Sequence, residues 1–381
     1  MKKAVRTLLC GVAALASVPG AWAAEPIKIG AIFSVTGPAS FLGEPEKNTA
    51  KMVEEELNKA GGLLGRPVEV VVYDDESDPT KAVTAVDRLI KKDGVVAIIG
   101  PSTTGSTLAV APKAIAAKVP LVSCAAAKKI VDPVNPWIFK TAQHDALFVK
   151  RIYEHLKKTK LTKVALLSAS DAYGAAGREE LKELAASYGL TIVADEVFGP
   201  KDTDMTAQLT KIKGMDAQAI VCWGTNPGPA VVARNRVQLG IKTPLFMSQG
   251  VASKKFIELA GADNAEGIFV TAGRILVDDQ LDAKHPQKQI LGAYRKDYEG
   301  RFKQDVSAFG GHSWDAVKLL AGAIRVAKSA EPQAIRDALE KTKKFWGIAG
   351  EFNLSAADHC GLTEDALVLV KVARGDWELL K

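Results

Sequence analysis

The sequence predicts an α/β protein made of two similar lobes, each a parallel sheet flanked by helices. Three observations carry that expectation. Short apolar runs alternate with helix-length amphipathic stretches along most of the chain. The alternation breaks around Pro133 to Thr141 and then starts afresh. Finally, 381 residues of which 47% are hydrophobic exceed what a single core needs, so two domains of ordinary size are expected.

Taken in order, the first strand is expected over 27–33, an apolar run from Ile27 to Phe33. A loop rich in Gly, Pro and Ser follows. A helix is then expected over 46–59, where Met52, Val53, Glu56 and Leu57 share a face and Gly61-Gly62 ends it. Residues 68–73, 95–99 and 120–122 read as strands, with helices over 79–91 and 105–117 between them. Alternation with such short connections implies parallel strands and helices on both faces. After the break, helix 145–158 leads to strand 163–167, helix 173–188 and strand 190–197. Helix 203–212, strand 219–222, helix 229–239 and strand 244–247 continue the pattern, and a strand at 267–271 completes it. Helices over 286–302, 313–328 and 332–341 and short strands over 349–352, 366–372 and 377–380 remain; they cover or extend the two units without suggesting a third. The cleft between two such units is the default binding site.

Charged residues at 25% and aromatics at 6% are ordinary globular usage, which excludes disordered, collagen-like and coiled-coil classes. The formal charge of +6 invites a nucleic-acid or membrane partner. However, Lys2, Lys3 and Arg6 belong to residues 1–23, a basic start followed by an apolar run and Ala21-Trp22-Ala23. That is the pattern of a cleaved Sec-type signal peptide, cut after Ala23 and too short to span a bilayer. Without it, 47 bases face 44 acids, a net +3, and no basic block remains to hold nucleic acid. Cys10 leaves with the signal; Cys124, Cys222 and Cys360 are an odd number and imply no disulfide framework. The five histidines are scattered, and no C-x-x-C or H-E-x-x-H occurs, so no metal or cofactor is expected.

Enzyme motifs fare poorly. Gly100-Pro101-Ser102-Thr103-Thr104-Gly105-Ser106-Thr107 has the place and glycine spacing of a phosphate loop but lacks its lysine, which leaves the phosphate charge unpaired. What survives is a set of hydroxyls and N–H groups at a helix N-terminus, suited either to a carboxylate or to plain capping. Asp74-Asp75-Glu76 and Asp78 read as a turn and N-cap in preference to a metal site. No G-x-S-x-G elbow serves His144 and Asp145, and no G-x-G-x-x-G precedes an acid, so binding is expected and catalysis is not.

These residues resemble a known family. Ile29-Gly30-Ala31-Ile32-Phe33-Ser34-Val35-Thr36-Gly37-Pro38, Asn58 through Pro67, Tyr73-Asp74-Asp75, Asp78-Pro79, Ile99-Gly100-Pro101, Val119 through Ser123, Ala172-Tyr173-Gly174 and Gly240-Ile241 follow in order the pattern of leucine/isoleucine/valine-binding periplasmic solute-binding proteins. The resemblance implies a type I two-lobed periplasmic-binding-protein fold with three hinge crossings, near Thr141, Thr271 and Ile348. The first lobe would comprise 24–141 plus 272–347, and the second 142–271 plus 348–381. It also implies a monomer in the periplasm that closes on one small ligand and delivers it to an ABC permease. Carried over position by position, the ligand residues are Phe41 and Leu42 in the first loop, Thr103 and Thr104 after the third strand, and Ala125, Ala126 and Ala127 after the fourth. Tyr173, Asn226 and Gln249 come from the second lobe. Thr104 would donate its hydroxyl to a ligand carboxylate.

The chain departs from the amino-acid binders at two of these places. Gln249 stands where they carry a glutamate for the ligand ammonium, and Ala127 lacks a hydroxyl used for the same group. A buried ammonium without a counter-charge costs several kcal/mol, or more than about a hundredfold in affinity. An aromatic, aliphatic or 2-oxo carboxylate is therefore the expected ligand, with Phe41, Leu42 and Trp223 as an apolar wall. The alternative is an amino acid whose ammonium is held by Asp171 or Asp145. A different class, a sensory ligand-binding subunit on the same fold, is separable by gene neighbourhood.

Overall fold

The computed structural model describes residues 25–380, so the expected signal segment and its cleavage point lie outside the described residues. Five strands, β1 (Ile27–Phe33), β2 (Val68–Asp74), β3 (Ala97–Ile99), β4 (Leu121–Ser123) and β5 (Ile138–Lys140), form one sheet in the order β2-β1-β3-β4-β5. Every pairing in it is parallel. Helices α1 (Ser40–Lys59), α2 (Pro79–Arg88) and α3 (Thr104–Ala117) connect the strands. Ile27, Ile29 and Ala31 on one face of β1 and Ile32 on the other are all fully buried, which explains an apolar run interrupted only by Lys28 near its start. The acid cluster resolves as a turn and cap: Asp78 accepts from Thr80 N–H at 2.7 Å, and Pro79 occupies the first helical position.

The second sheet repeats the first. Strands β6 (Lys163–Ala169), β7 (Thr191–Phe198), β8 (Ala219–Trp223), β9 (Leu245–Met247) and β10 (Phe269–Gly273) run parallel in the order β7-β6-β8-β9-β10, the same winding as β2-β1-β3-β4-β5. Helices α4 (Asp145–Lys158), α5 (Ala172–Ala185), α6 (Thr206–Lys213), α7 (Gly228–Gln238), α8 (Lys254–Ala260) and α9 (Ala262–Ala265) flank it. The chain then returns to the first sheet through α10 (Lys288–Phe302), α11 (Ala308–Ala327) and α12 (Pro332–Leu339), followed by the hairpin pair β11 (Phe345–Trp346) and β12 (Glu351–Phe352). It ends with β13 (Leu367–Ala373), which joins the second sheet antiparallel to β10, and β14 (Asp376–Leu379), which pairs antiparallel with β13 at the sheet edge.

Several expectations need adjustment. Helix α1 begins at Ser40, inside the stretch read as a loop, because Gly43 presses on strand-end backbone: a Cβ there would sit 2.2 Å from the Ser34 carbonyl carbon. Strand β5 and helices α8 and α9 lie in stretches assigned no element. The third crossing comes later than Ile348. Phe352, Leu354, Cys360 and Leu362 pack in the core of the first sheet, and His359 stacks on Phe139 of β5, so the chain leaves that lobe only over 363–366. Part of the 272–347 segment is shared: Leu291, Tyr294 and Phe309 belong to a cluster that also holds Ala165, Cys222 and Met247 of the second sheet.

The first crossing is tied to the return segments of the first lobe, and the second and third meet where Gly273 of β10 pairs with Leu367 of β13. Cys360 Sγ lies 3.6 Å from Ala142 O, Gln143 Nε2 donates to Ala349 O at 2.7 Å, and Thr141 Oγ1 donates to His312 O at 2.9 Å. Asp315 accepts the N–H groups of Ile348 and Ala349 at 2.6 and 2.8 Å. Asp145, the first residue after the first crossing, is fully buried and neither carboxylate oxygen has a partner in the protein. Burial raises its carboxyl to about 7, against the pull of Lys140.

Two predictions arise here. Because the folded pKa of Asp145 lies above the unfolded one, the folded state takes up the proton first, and the stability linked to it is lost as pH rises toward 7. Asp145→Asn should therefore narrow the difference in Tm between about pH 5 and about pH 8, read by scanning calorimetry. Gly43→Ala should cost about 1–3 kcal/mol in denaturant unfolding, since the added methyl meets backbone that cannot move aside.

Candidate functional site

In a parallel sheet wound in this order, neighbouring loops diverge at the carboxyl ends of the strands and open a crevice there. Here two such ends face each other. Between them lies a cleft of about 390 Å³, the size range of a small-molecule site. All but one of its walls are loops that follow strands. Pro38 follows β1, Ser77 follows β2, Ser102 to Gly105 follow β3, and Cys124 to Ala126 follow β4. From the other lobe come Asp171 to Tyr173 after β6, Lys201 after β7, Asn226 after β8 and Gln249 after β9. Phe309 of α11 closes the side.

Eight of the ten residues singled out in the sequence line this cleft: Leu42, Thr103, Thr104, Ala125, Ala126, Tyr173, Asn226 and Gln249. Phe41 does not. Successive helix residues point about 100° apart, so with Leu42 turned to the cleft, Phe41 turns aside and meets Phe309 edge-on at 5.6 Å. Phe309, unremarkable in sequence, lines the cleft instead. Ala127 does not line the cleft either. It is fully buried, and its carbonyl accepts from Ile130 N–H and from Lys140 Nζ at 3.4 Å; Lys140 Nζ also donates to the carbonyl of Ala126, which stays on the cleft wall. Trp223 is also fully buried; its indole lies so close to Gly177 that a Cβ there would fall 2.0 Å from Nε1.

The polar groups of the cleft divide into occupied and free. Thr103 Oγ1 caps helix α3 by accepting from Ser106 N–H at 3.2 Å. Asp171 Oδ1 caps α5 by accepting from Gly174 N–H at 2.7 Å. By contrast, Thr104 Oγ1, Tyr173 Oη, both side-chain heads of Asn226 and Gln249 Oε1 are buried without a partner in the protein. Thr104, Asn226 and Gln249 are only 2 to 3% exposed. Unpaired buried polar atoms are costly, and clustered on facing walls they are groups held ready for a ligand.

Among the described residues, the charged groups lining the cleft are Asp171, half-buried, and Lys201, exposed. Ser102 and Phe309 were not among the residues singled out as ligand positions, and Asp171 was named only as an alternative partner for a ligand ammonium. Ser102 was visible as part of the hydroxyl loop, whereas Phe309 carried no local signal because it arrives from a distant return segment. Cys124 lines the cleft as a free, buried thiol, and Cys222 and Cys360 are likewise free and buried. Among the described residues no group of three or more His, Cys, Asp or Glu could hold a metal, and no helix is long and apolar enough to cross a membrane.

Comparison with known proteins bears on this geometry. The model of the family described as periplasmic binding protein matches residues 26–376. A leucine-, isoleucine-, valine-, threonine- and alanine-binding protein of Pseudomonas aeruginosa is 28% identical over 326 residues, 83% of each chain. An extracellular ligand-binding receptor from Rhodopseudomonas palustris HaA2 superposes with a TM-score of 0.87 at 30% identity, covering 94% of this chain and 100% of that one. The branched-chain amino acid transporter substrate-binding protein of Streptococcus pneumoniae, solved in complex with isoleucine, superposes at 0.83 with 29% identity, covering 94% and 100%. With two like-wound sheets meeting at a cleft and a family match over nearly its whole length, this chain belongs to the periplasmic binding protein family.

Proposed function

We propose that the protein is a monomeric, exported solute receptor that closes its two lobes on a small carboxylate lacking an α-ammonium and hands it to an ABC permease. One observation carries the ligand class: the unpartnered polar side chains on the cleft wall, Thr104, Tyr173, Asn226 and Gln249, are neutral, and the resemblance to amino-acid binders puts a glutamate at the last of these. Thr104 Oγ1 and the N-terminus of α3 suit a carboxylate, which gains from hydroxyl and N–H donors and from the positive end of the helix dipole. Leu42 and Phe309 supply the apolar side of the pocket. Closure follows because the free groups sit on both walls. A ligand that satisfies Thr104 on one lobe and Asn226 and Gln249 on the other binds the closed form more tightly and shifts the population to it.

Asp171 supports the second reading, an amino-acid ligand, because it is an acid on the cleft wall. Calorimetry separates the two. Titration of ligand-stripped protein with benzoate and 4-methyl-2-oxopentanoate should give binding, and leucine should give none at micromolar concentration. Leucine binding at micromolar or tighter affinity overturns the carboxylate proposal. In Gln249→Glu, a second carboxylate faces the ligand; affinity for the oxo acid should fall at least about tenfold, roughly 1.4 kcal/mol. A gain of leucine binding in that variant would place the ammonium at position 249.

A further inference from the structure

Beneath the cleft, a chain of hydrogen bonds runs from one buried acid to another. Ser34 Oγ donates to Asp75 Oδ1 at 2.6 Å, and Ser34 N–H donates to Ser102 Oγ at 3.0 Å. Ser102 Oγ in turn shares a hydrogen bond with Glu46 Oε2. Ser102 is the member of this chain that forms part of the cleft wall, beside Thr104. Glu46 is 1% exposed, and among the described residues no Lys, Arg or His stands within ion-pair distance of it.

Asp75 and Cys124 are the titratable groups set against Glu46, and the helices packed on α1 carry others, among them His312 of α11, buried with both ring nitrogens unpartnered. Asp75 follows β2 and Cys124 follows β4. On α11, Asp315 turns its carboxylate to the N–H groups of Ile348 and Ala349, and on α10 the Tyr294 hydroxyl is held by Thr49 Oγ1 at 2.8 Å. Burial raises the Glu46 carboxyl well above its ordinary range; the Ser102 bond opposes the rise and the Asp75 charge adds to it.

Two proton arrangements fit the Ser102–Glu46 contact. With Glu46 ionised, the Ser102 hydrogen must point at Glu46, and the serine offers only lone pairs to the cleft, which repel an anion. With Glu46 protonated, the acid donates to Ser102 Oγ, and the serine hydrogen is free to turn to the ligand. We propose that Ser102 donates to the ligand carboxylate, and that Glu46, acting through Ser102, is a positioning residue that takes up a proton from solvent as the ligand binds. This rests on the carboxylate proposed above, and it applies equally to an amino-acid or an oxo-acid ligand, since both carry that group. No bond other than the O–H bond at Glu46 is formed.

The test uses leucine, 4-methyl-2-oxopentanoate and benzoate, titrated calorimetrically from about pH 6 to about pH 9 in buffers of different protonation enthalpy. Binding by the natural protein should be accompanied by uptake of up to one proton in the upper part of that range, with affinity falling by as much as about tenfold per pH unit. Glu46→Gln, whose amide donates to Ser102 as the protonated acid does, should keep the low-pH affinity and flatten the profile. Ser102→Ala should bind about tenfold more weakly at low pH and flatten it as well. Absence of proton uptake throughout, an unchanged slope in Glu46→Gln, or full affinity in Ser102→Ala overturns the proposal. Infrared spectra of the ligand-free protein supply a readout independent of any ligand: a protonated-carboxyl band present at the low end and missing in Glu46→Gln is expected, and its absence at every pH is equally fatal. Silence from all three probes counts against the carboxylate function itself, while the infrared band still decides the state of Glu46.

Discussion

The cleft exists because three stretches of backbone cross between the lobes, the first bound to the return segments of the first lobe and the second paired with the third where Gly273 meets Leu367. Asp315 is central to that arrangement. Its carboxylate receives the N–H groups of Ile348 and Ala349, while Ala349 O is held by Gln143 from the first crossing. Cys360 reaches Ala142 from the far side. Two sheets of identical winding meet across this knot with their strand carboxyl ends facing, and every loop that lines the cleft is one the winding delivers to that position. Torsion at so few segments lets the lobes move as bodies, because the contacts within each sheet are undisturbed.

Burial of polar groups shapes the site as much as the fold does. The first lobe surrounds its ligand wall with serines and threonines that cap helices or bridge acids, so Thr104 is left as its open hydroxyl. The second lobe contributes amides and a phenol without partners. Such groups are expensive to desolvate and to leave unpaired, and a pocket made from them favours a ligand whose own polar atoms match. Neutral amides at Asn226 and Gln249 and a helix-capping acid at Asp171 give a very different demand from that of a buried glutamate.

Much of the fold was legible in the sequence because parallel strands buried on both faces leave nearly continuous apolar runs, as in β1, β6 and β8. Elements that depend on tertiary contact were not. Strand β5 has three residues and exists through its pairing with β4; the start of α1 depends on the approach of Gly43 to Ser34; the late return over 363–366 depends on His359 and Phe352 packing on the first lobe. The site was legible where it follows a strand, as at Thr104, Tyr173 and Gln249. It failed at Phe41 against Phe309, since sequence spacing names the loop but not which of two adjacent helix residues faces inward. Ala127 is fully buried one residue beyond the cleft-lining Ala126, and nothing in the local sequence marks which of the three alanines turns inward.

The interlacing of the lobes bears on the order in which the chain can fold. Helix α1 packs against α11, and Lys318 pairs with Glu56 across most of the chain at 2.6 Å. Apolar residues of α11 and β12 complete the core around the first sheet. A polypeptide appearing from its N-terminus therefore exposes the apolar face of its first sheet until nearly all of the second lobe has followed. Long-range closure of this kind is slow. The same topology that makes a hinge thus keeps the nascent protein unfinished for most of its length.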